Sequence, residues 1–269
     1  MLFFLYRTAL GRMILKILCK PSVSALCGRI LDSSASLVLV KPFVRKNHID
    51  LAEFETDFHC FNDCFSRKIK PGFRIFSKDP DALCAPCDGL LSVYRISDQT
   101  VLGVKQSHYS IPSLLQDQQL ADRYTDGLCL VYRLCVNHYH RYSYFDDCTK
   151  GKNIHIPGVL HTVRPIALAQ YPVFTQNSRE YTVMETAHFG TALQMEVGAL
   201  LVGKICNHHE EGSFSRGEEK GCFLYGGSTI IVLLEKGRVR LEEEWAHVLG
   251  TGQELPVRMG DVIGQASVS

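Results

Sequence analysis

The chain has almost no charge of one sign to spare: 29 Lys and Arg stand against 28 Asp and Glu over 269 residues. It therefore lacks the broad positive field that holds a nucleic-acid backbone, and no nucleic-acid partner is expected; an anionic partner has to be met by a local basic patch. An uninterrupted apolar run of bilayer-spanning length is also missing, because the first twenty residues are broken by Arg7, Arg12, Lys16 and Lys20. No basic n-region precedes that run, which argues against a signal peptide. There is no internal repeat, low-complexity tract or Ser/Pro-rich linker, so one folding unit is expected. Cys84-Ala85-Pro86-Cys87 has no second pair of matching spacing, since Cys60 and Cys64 are separated by three residues, and no metal site is expected.

What is present is ordinary for a globular protein: 46% apolar and 21% charged residues, enough for one sizeable core with an appended helical segment. The 11 cysteines are odd in number and embedded in runs such as Leu128-Cys129-Leu130, where a thiol behaves as a small hydrophobe; this suits a reducing compartment. In the first twenty residues Arg12, Lys16 and Lys20 recur at i+4 on one helical face, with Phe3, Leu10, Ile14 and Leu18 opposite. That pattern fits an interfacial helix ending at Pro21, or equally a helix packed on the protein's own core. Residues 22–70 read as mostly helical, with Ser22 and Asp50 as caps, Glu53 at capping-box spacing from Asp50, and a turn at Pro71-Gly72.

From about residue 82 short β-rich runs take over: Leu90 to Tyr94, Leu128 to Val136, Tyr181 to Met184, Leu193 to Val197 and Thr229 to Leu234. Residues 257–264 read as a strand, a Gly-centred turn and another short strand, a piece found in barrel-sandwich hybrids. The fold class expected is α+β, with a β-rich, barrel-sandwich-like core at residues 76–269 and an N-terminal helical, membrane-associating layer at residues 1–75.

Gly226-Gly227-Ser228-Thr229 places a two-glycine bend directly before a buried strand. Alone, it reads most simply as a hairpin turn. Other segments accompany it in order: Phe61-Asn62-Asp63-Cys64-Phe65-Ser66-Arg67, Ala85-Pro86-Cys87-Asp88-Gly89, Asn137-His138-Tyr139-His140-Arg141-Tyr142, Glu196-Val197-Gly198-Ala199-Leu200-Leu201-Val202-Gly203 and Arg216 to Gly221. Together they resemble, end to end, the phosphatidylserine decarboxylase proenzyme family, with its F-N-D-F-F-x-R, P-x-D-G, D-Y-H-R-x-H, E-V-G-A-x-x-V-G and G-(G/S)-S-T segments. Val104 to Ser110 is similar to the family's V-K-G-x-x-Y-S, here taken as a wall of the active-site region.

The resemblance implies that Ser228 attacks the Gly227 carbonyl, that β-elimination separates residues 1–227 from 228–269 as the β and α chains of one precursor, and that Ser228 becomes a pyruvoyl group. It implies that this covalent cofactor decarboxylates phosphatidylserine, giving phosphatidylethanolamine. Asp88 matches the family's aspartate of an Asp-His pair that activates the serine, and His140 matches the histidine used in decarboxylation. The sequence departs at the second histidine, which is Ser143 here, while His138 replaces the motif's aspartate. General-base help is typically worth ~100- to 10,000-fold, so the base must come from His138, His140, His161, Asp146 or Asp147, from strain at the junction, or not at all. A processing-deficient pseudoenzyme and a pyruvoyl decarboxylase of another amine-bearing acid remain as alternatives. A phospholipid substrate further implies an anionic membrane surface as partner, with Arg12, Lys16 and Lys20 facing lipid phosphates at the cytoplasmic face of the cell membrane; a homo-oligomer is left open.

Overall fold

The computed structural model describes residues 2–97, 109–200, 204–224 and 228–267. The chain begins with helices α1 (Leu2–Arg7), α2 (Ala9–Leu18), α3 (Pro21–Leu31) and α4 (Val40–Lys46), with a 3-10 turn at Ser34–Leu39, and a short α5 (Phe61–Phe65) follows. The strands are β1 (Ala82–Cys84), β2 (Gly89–Arg95), β3 (Leu128–Leu134), β4 (Arg141–Ser143), β5 (Cys148–Lys150), β6 (Ile154–Ile156), β7 (Arg179–Thr186) and β8 (Thr191–Val197). Then come β9 (Lys204–Asn207), β10 (Gly212–Phe214), β11 (Glu219–Leu224), β12 (Ser228–Leu234), β13 (Val239–Leu241), β14 (Leu255–Val257) and β15 (Val262–Ala266).

The main sheet runs β10-β5-β7-β8-β12-β3-β2-β14, with β6 paired onto β7, and its neighbours are antiparallel. Two smaller sheets, β1-β15-β13 and β4-β11-β9, complete the β structure of the described residues. The sequence reading of an α+β chain holds, but the barrel-like core does not: the main sheet is open, from β10 at one edge to β14 at the other. β14 carries Pro256, which has no N–H to offer a further strand. β14 and β15, read as one strand-turn-strand piece, bend at Gly260 (φ 92) and part into different sheets.

The central strands β3, β8 and β12 are buried along their whole length. Covered on both faces, β3 and β12 read as near-continuous apolar runs, while β8 carries Gln194 and Glu196 into the interior. One cover is the small sheet: Lys220 of β11 reaches Glu196 of β8 at 2.8 Å, and Asn207 of β9 reaches Glu180 of β7 at 2.6 Å. Glu180, Glu196 and Ile230 stand opposite one another across β7, β8 and β12. Side chains two apart on a strand share a face, so Ser228 also looks toward the small sheet.

The N-terminal helices differ in detail from the single helix expected. The chain breaks at Thr8, whose hydroxyl accepts from Gly11 N–H and caps α2. α1 and α2 cross so closely that a Cβ on Gly11 would lie 2.0 Å from the Phe4 carbonyl. Leu5, Tyr6, Leu15 and Cys19 join the main core, while Leu10, Met13, Ile14 and Ile17 are exposed together with Arg12 and Lys16. Pro21 does not merely end a helix; it opens α3. Ser22 lies inside α3, and the Asp50 carboxylate takes the Ala52 N–H in a turn with no helix after it, so neither residue caps as expected. Glu53 instead pairs with Arg74 and Arg258.

Candidate active site

One end of the main sheet collects the residues singled out from the sequence. Ser228 opens β12 opposite Leu134, the last residue of β3, and its neighbour Thr229 lies opposite Val197, the last of β8. On the other side of β3, Leu90 pairs with Arg133, so Gly89 and Asp88 reach the same end. Two strand spacings separate β2 from β12, about 10 Å. At that spacing a carboxylate at position 88 does not touch Ser228 directly.

The Ser228 side chain is completely buried, and its hydroxyl has no hydrogen-bond partner among the described residues; nor has that of Thr229. Such an orphan hydroxyl costs about 1–3 kcal/mol relative to a satisfied one. Gly226 and Gly227, the other half of the junction, lie outside the described residues, as do Leu201 to Gly203 and residues 104–108. Of that last segment's neighbours, Tyr109 packs on Phe174 at 4.9 Å and Ser110 caps a short helix.

Asp88 is held on three sides: Arg74 Nε donates to Oδ1 and Arg74 Nη2 to Oδ2, both at 2.7 Å, and Met259 N–H donates to Oδ1 at 2.9 Å. Arg74 is 6% exposed at its side chain and also reaches Glu53 at 2.7 Å. Burial works against its charge, and hydrogen bonds to Asp88 and Glu53 more than offset that, so the guanidinium is raised above its ordinary value.

The histidine segment follows β3 and is cradled by the F-N-D motif. Arg67 Nη2 donates to the carbonyls of Asn137 (2.9 Å) and His138 (3.1 Å), Arg141 Nε donates to the Ser66 carbonyl (2.7 Å), and Phe65 lies 4.1 Å, centroid to centroid, from the His140 ring. His140 is fully buried, and its carbonyl accepts from Phe223 N–H of β11, the strand that enters the junction. Its Nδ1 sits 3.0 Å from the His138 carbonyl. A carbonyl only accepts, so Nδ1 carries the proton and the lone pair is on Nε2. His138 has the opposite tautomer: Nδ1 accepts from Cys135 N–H at 3.1 Å. Burial holds the His138 imidazole below its ordinary value, with the Asp88 charge opposing and the Arg133 and Arg67 charges reinforcing that shift.

Ser143 is buried against the same corner. Its N–H donates to the Pro86 carbonyl (2.9 Å) and its hydroxyl to Met259 Sδ (3.4 Å), so Met259 links it to Asp88. The other base candidates are elsewhere. Asp146 accepts from His188 and Arg216, and the nearby Asp147 carboxylate takes the Arg216 N–H, near the Thr186 end of β7 and opposite the Ser228 end of the sheet. His161 turns toward the helices, 3.3 Å from Tyr6 Oη and 3.5 Å from Cys19 Sγ, and stacks on Tyr171. Sequence reasoning quoted Arg67 in the F-N-D segment and Met259 in the strand-turn-strand piece without giving either a role, and it missed Arg74, which sits at no motif spacing that points to Asp88.

Comparison with known proteins gives the family. The family model for phosphatidylserine decarboxylase matches residues 61–265. A phosphatidylserine decarboxylase proenzyme 2 from Clostridium acetobutylicum is 40% identical over 266 residues, covering 98% of this chain and 91% of the relative. The phosphatidylserine decarboxylase proenzyme of Ruminiclostridium cellulolyticum is 38% identical over 267 residues, covering 97% and 89%, and that of Clostridium tetani 36% over 254, covering 91% and 85%. With the serine, the aspartate and the histidine segment converging at one sheet end and a match spanning nearly the whole chain, the protein belongs to the phosphatidylserine decarboxylase family.

Proposed function

We propose that the chain is a precursor that cuts itself between Gly227 and Ser228 and then, as a pyruvoyl enzyme, converts phosphatidylserine to phosphatidylethanolamine and CO2. The observation that carries this reading is the fully buried Ser228 hydroxyl, without a partner among the described residues, at the head of β12. A hydroxyl whose only task were to end a turn would sit in water or bond to the backbone.

Cleavage needs no external reagent except water. The Ser228 Oγ–C bond to Gly227 forms as the Gly227–Ser228 C–N bond breaks, and the hydroxyl proton passes through a base to the Ser228 nitrogen. Loss of the Ser228 Cα proton then breaks Cβ–Oγ and releases residue 227 as a carboxylate. Water replaces the nitrogen at Cα, which leaves as ammonia. His140 is the base: it is fully buried beside β11, with Nδ1 donating to the His138 carbonyl, whereas His138 accepts the Cys135 N–H on Nδ1 and is weakened by burial. Asp88 stabilises the charge that the base acquires.

The site fits a pyruvoyl group at position 228, since the side chain it would replace is buried, has no partner among the described residues and faces the small sheet. The group supplies an electron sink for the bond to the departing CO2. His140, protonated on Nε2, delivers a proton to the carbon that loses CO2. The exposed Leu10, Met13, Ile14 and Ile17 beside Arg12 and Lys16 support a peripheral position on an anionic membrane, and eleven free thiols suit its cytoplasmic face. No single helix among the described residues is long and apolar enough to cross a bilayer.

Intact-mass analysis after denaturation tests the cleavage: two chains ending at 227 and beginning with a pyruvoyl at 228 are expected, and Ser228→Ala should stay whole. A persistently single wild-type chain would instead favour a processing-deficient pseudoenzyme. CO2 release from phosphatidylserine vesicles, set against free serine and other amino acids, separates the phospholipid substrate from a soluble one.

A further inference from the structure

The geometry points to Arg74 as the positioning residue of the cleavage reaction, the group that fixes Asp88 for its work; this rests on the self-cleavage reading above. Arg74 grips both carboxylate oxygens in a two-pronged fork at 2.7 Å, and the guanidinium is nearly closed off from water. A buried fork of this kind fixes the plane of the carboxylate as well as its charge. A carboxylate has roughly four acceptor positions. Arg74 and Met259 N–H take two on Oδ1 and one on Oδ2; because the His140 Nδ1–H is committed to the His138 carbonyl, Asp88 serves this base through the charge that the fork holds in place.

The backbone around Arg74 supports an active role for the side chain. Its φ is +55°, a left-handed conformation that a residue with a Cβ adopts reluctantly, in the turn that follows Gly72. That turn aims the guanidinium inward at Asp88. Glu53, bonded to Arg74 Nη1 and to Arg258, holds the outer side of the same guanidinium. With Ser143 in place of a histidine beside Met259, Asp88 has no imidazole from position 143 to orient it. The fork does this instead, from a different element of the chain.

The test follows conversion of pulse-labelled full-length precursor into its two chains, for wild type, Arg74→Gln, Arg74→Lys and Glu53→Gln. Each variant is also made with Ser228→Ala so that its melting is read on uncut protein, and rates are taken well below the lowest melting temperature. Arg74→Gln should process at least ten-fold more slowly than wild type. Arg74→Lys, which restores the charge and a donor but not the two-pronged fork, should run at least three-fold faster than Arg74→Gln and at least three-fold slower than wild type. Glu53→Gln, which breaks both outer pairs and keeps the fork, should stay within three-fold of wild type. A smaller loss in Arg74→Gln, no recovery with Lys, or a slower Glu53→Gln would overturn the assignment. Should Arg74→Gln not fold, Arg74→Lys decides alone: slowing of three-fold or more supports the fork, and anything less overturns it. An unaltered chain that never cleaves sinks the parent reading together with this one, whereas normal cleavage with a fast Arg74→Gln sinks this one only.

Discussion

Ser228 and His140 are both fully buried, and their roles can be separated by deletion. Ser228→Ala removes a buried hydroxyl that has no partner among the described residues, so the uncut variant should be at least as stable as the precursor it replaces, by urea denaturation. His140→Ala should leave an intact chain on denaturing gels, because the same Nε2 serves the cleavage; cut but inactive protein would confine His140 to decarboxylation. Ser143→His should not speed cleavage and should cost about 1–3 kcal/mol through overpacking, since Met259 Sδ already lies 3.4 Å from the Ser143 hydroxyl. Ser228, Asp88 and His140 were legible in the sequence because each sits in a motif whose neighbours are constrained, such as the glycines at 89, 226 and 227. Arg74 was not: its partner lies 14 residues away and the fork exists only once the turn at Gly72 has formed. The choice among the base candidates was equally hidden, because Asp146 and His161 differ from His140 in where the fold sends them, not in spacing.

At the scale of elements, strand positions were readable and their partners were not. The runs predicted at Leu90, Leu128, Tyr181, Leu193 and Thr229 all form strands, because buried β-branched stretches show themselves locally. Pairing of β14 with β2 and β15 with β1 is long-range, and a turn at Gly260 does not reveal it. The helix break at Thr8 was hidden for a similar reason, since it depends on how closely α1 approaches Gly11. The small sheet is tied to the main one by Lys220 and Glu196, both with fully buried side chains. Lys220→Met should strand the Glu196 charge and cost about 3–5 kcal/mol in a urea titration of the Ser228→Ala chain. Adding Glu196→Gln should recover a large part of that loss, because no buried charge is then left alone.

For the whole molecule, the pH response follows from two histidines. Burial holds both His138 and His161 below the ordinary value of 6.5 in the folded chain. The unfolded chain then binds more protons, so their contribution is full above about pH 6.5 and is lost as pH falls through the lowered folded values. Urea midpoints of the Ser228→Ala chain should fall between pH 7.5 and 5.5, and His161→Gln should flatten that fall. Finally, β12 is hydrogen-bonded on both sides, to β3 and to β8, and both flanking strands precede the junction. Residues 228–269 thus contribute a middle strand to a sheet made largely by residues 1–227. Cutting the chain there leaves the pairing of Thr229 to Leu233 with both flanking strands in place, so the two products remain one particle under native conditions. Maturation should be silent to sedimentation and gel filtration, and the small chain, once stripped out by denaturant, should have no fold of its own to return to.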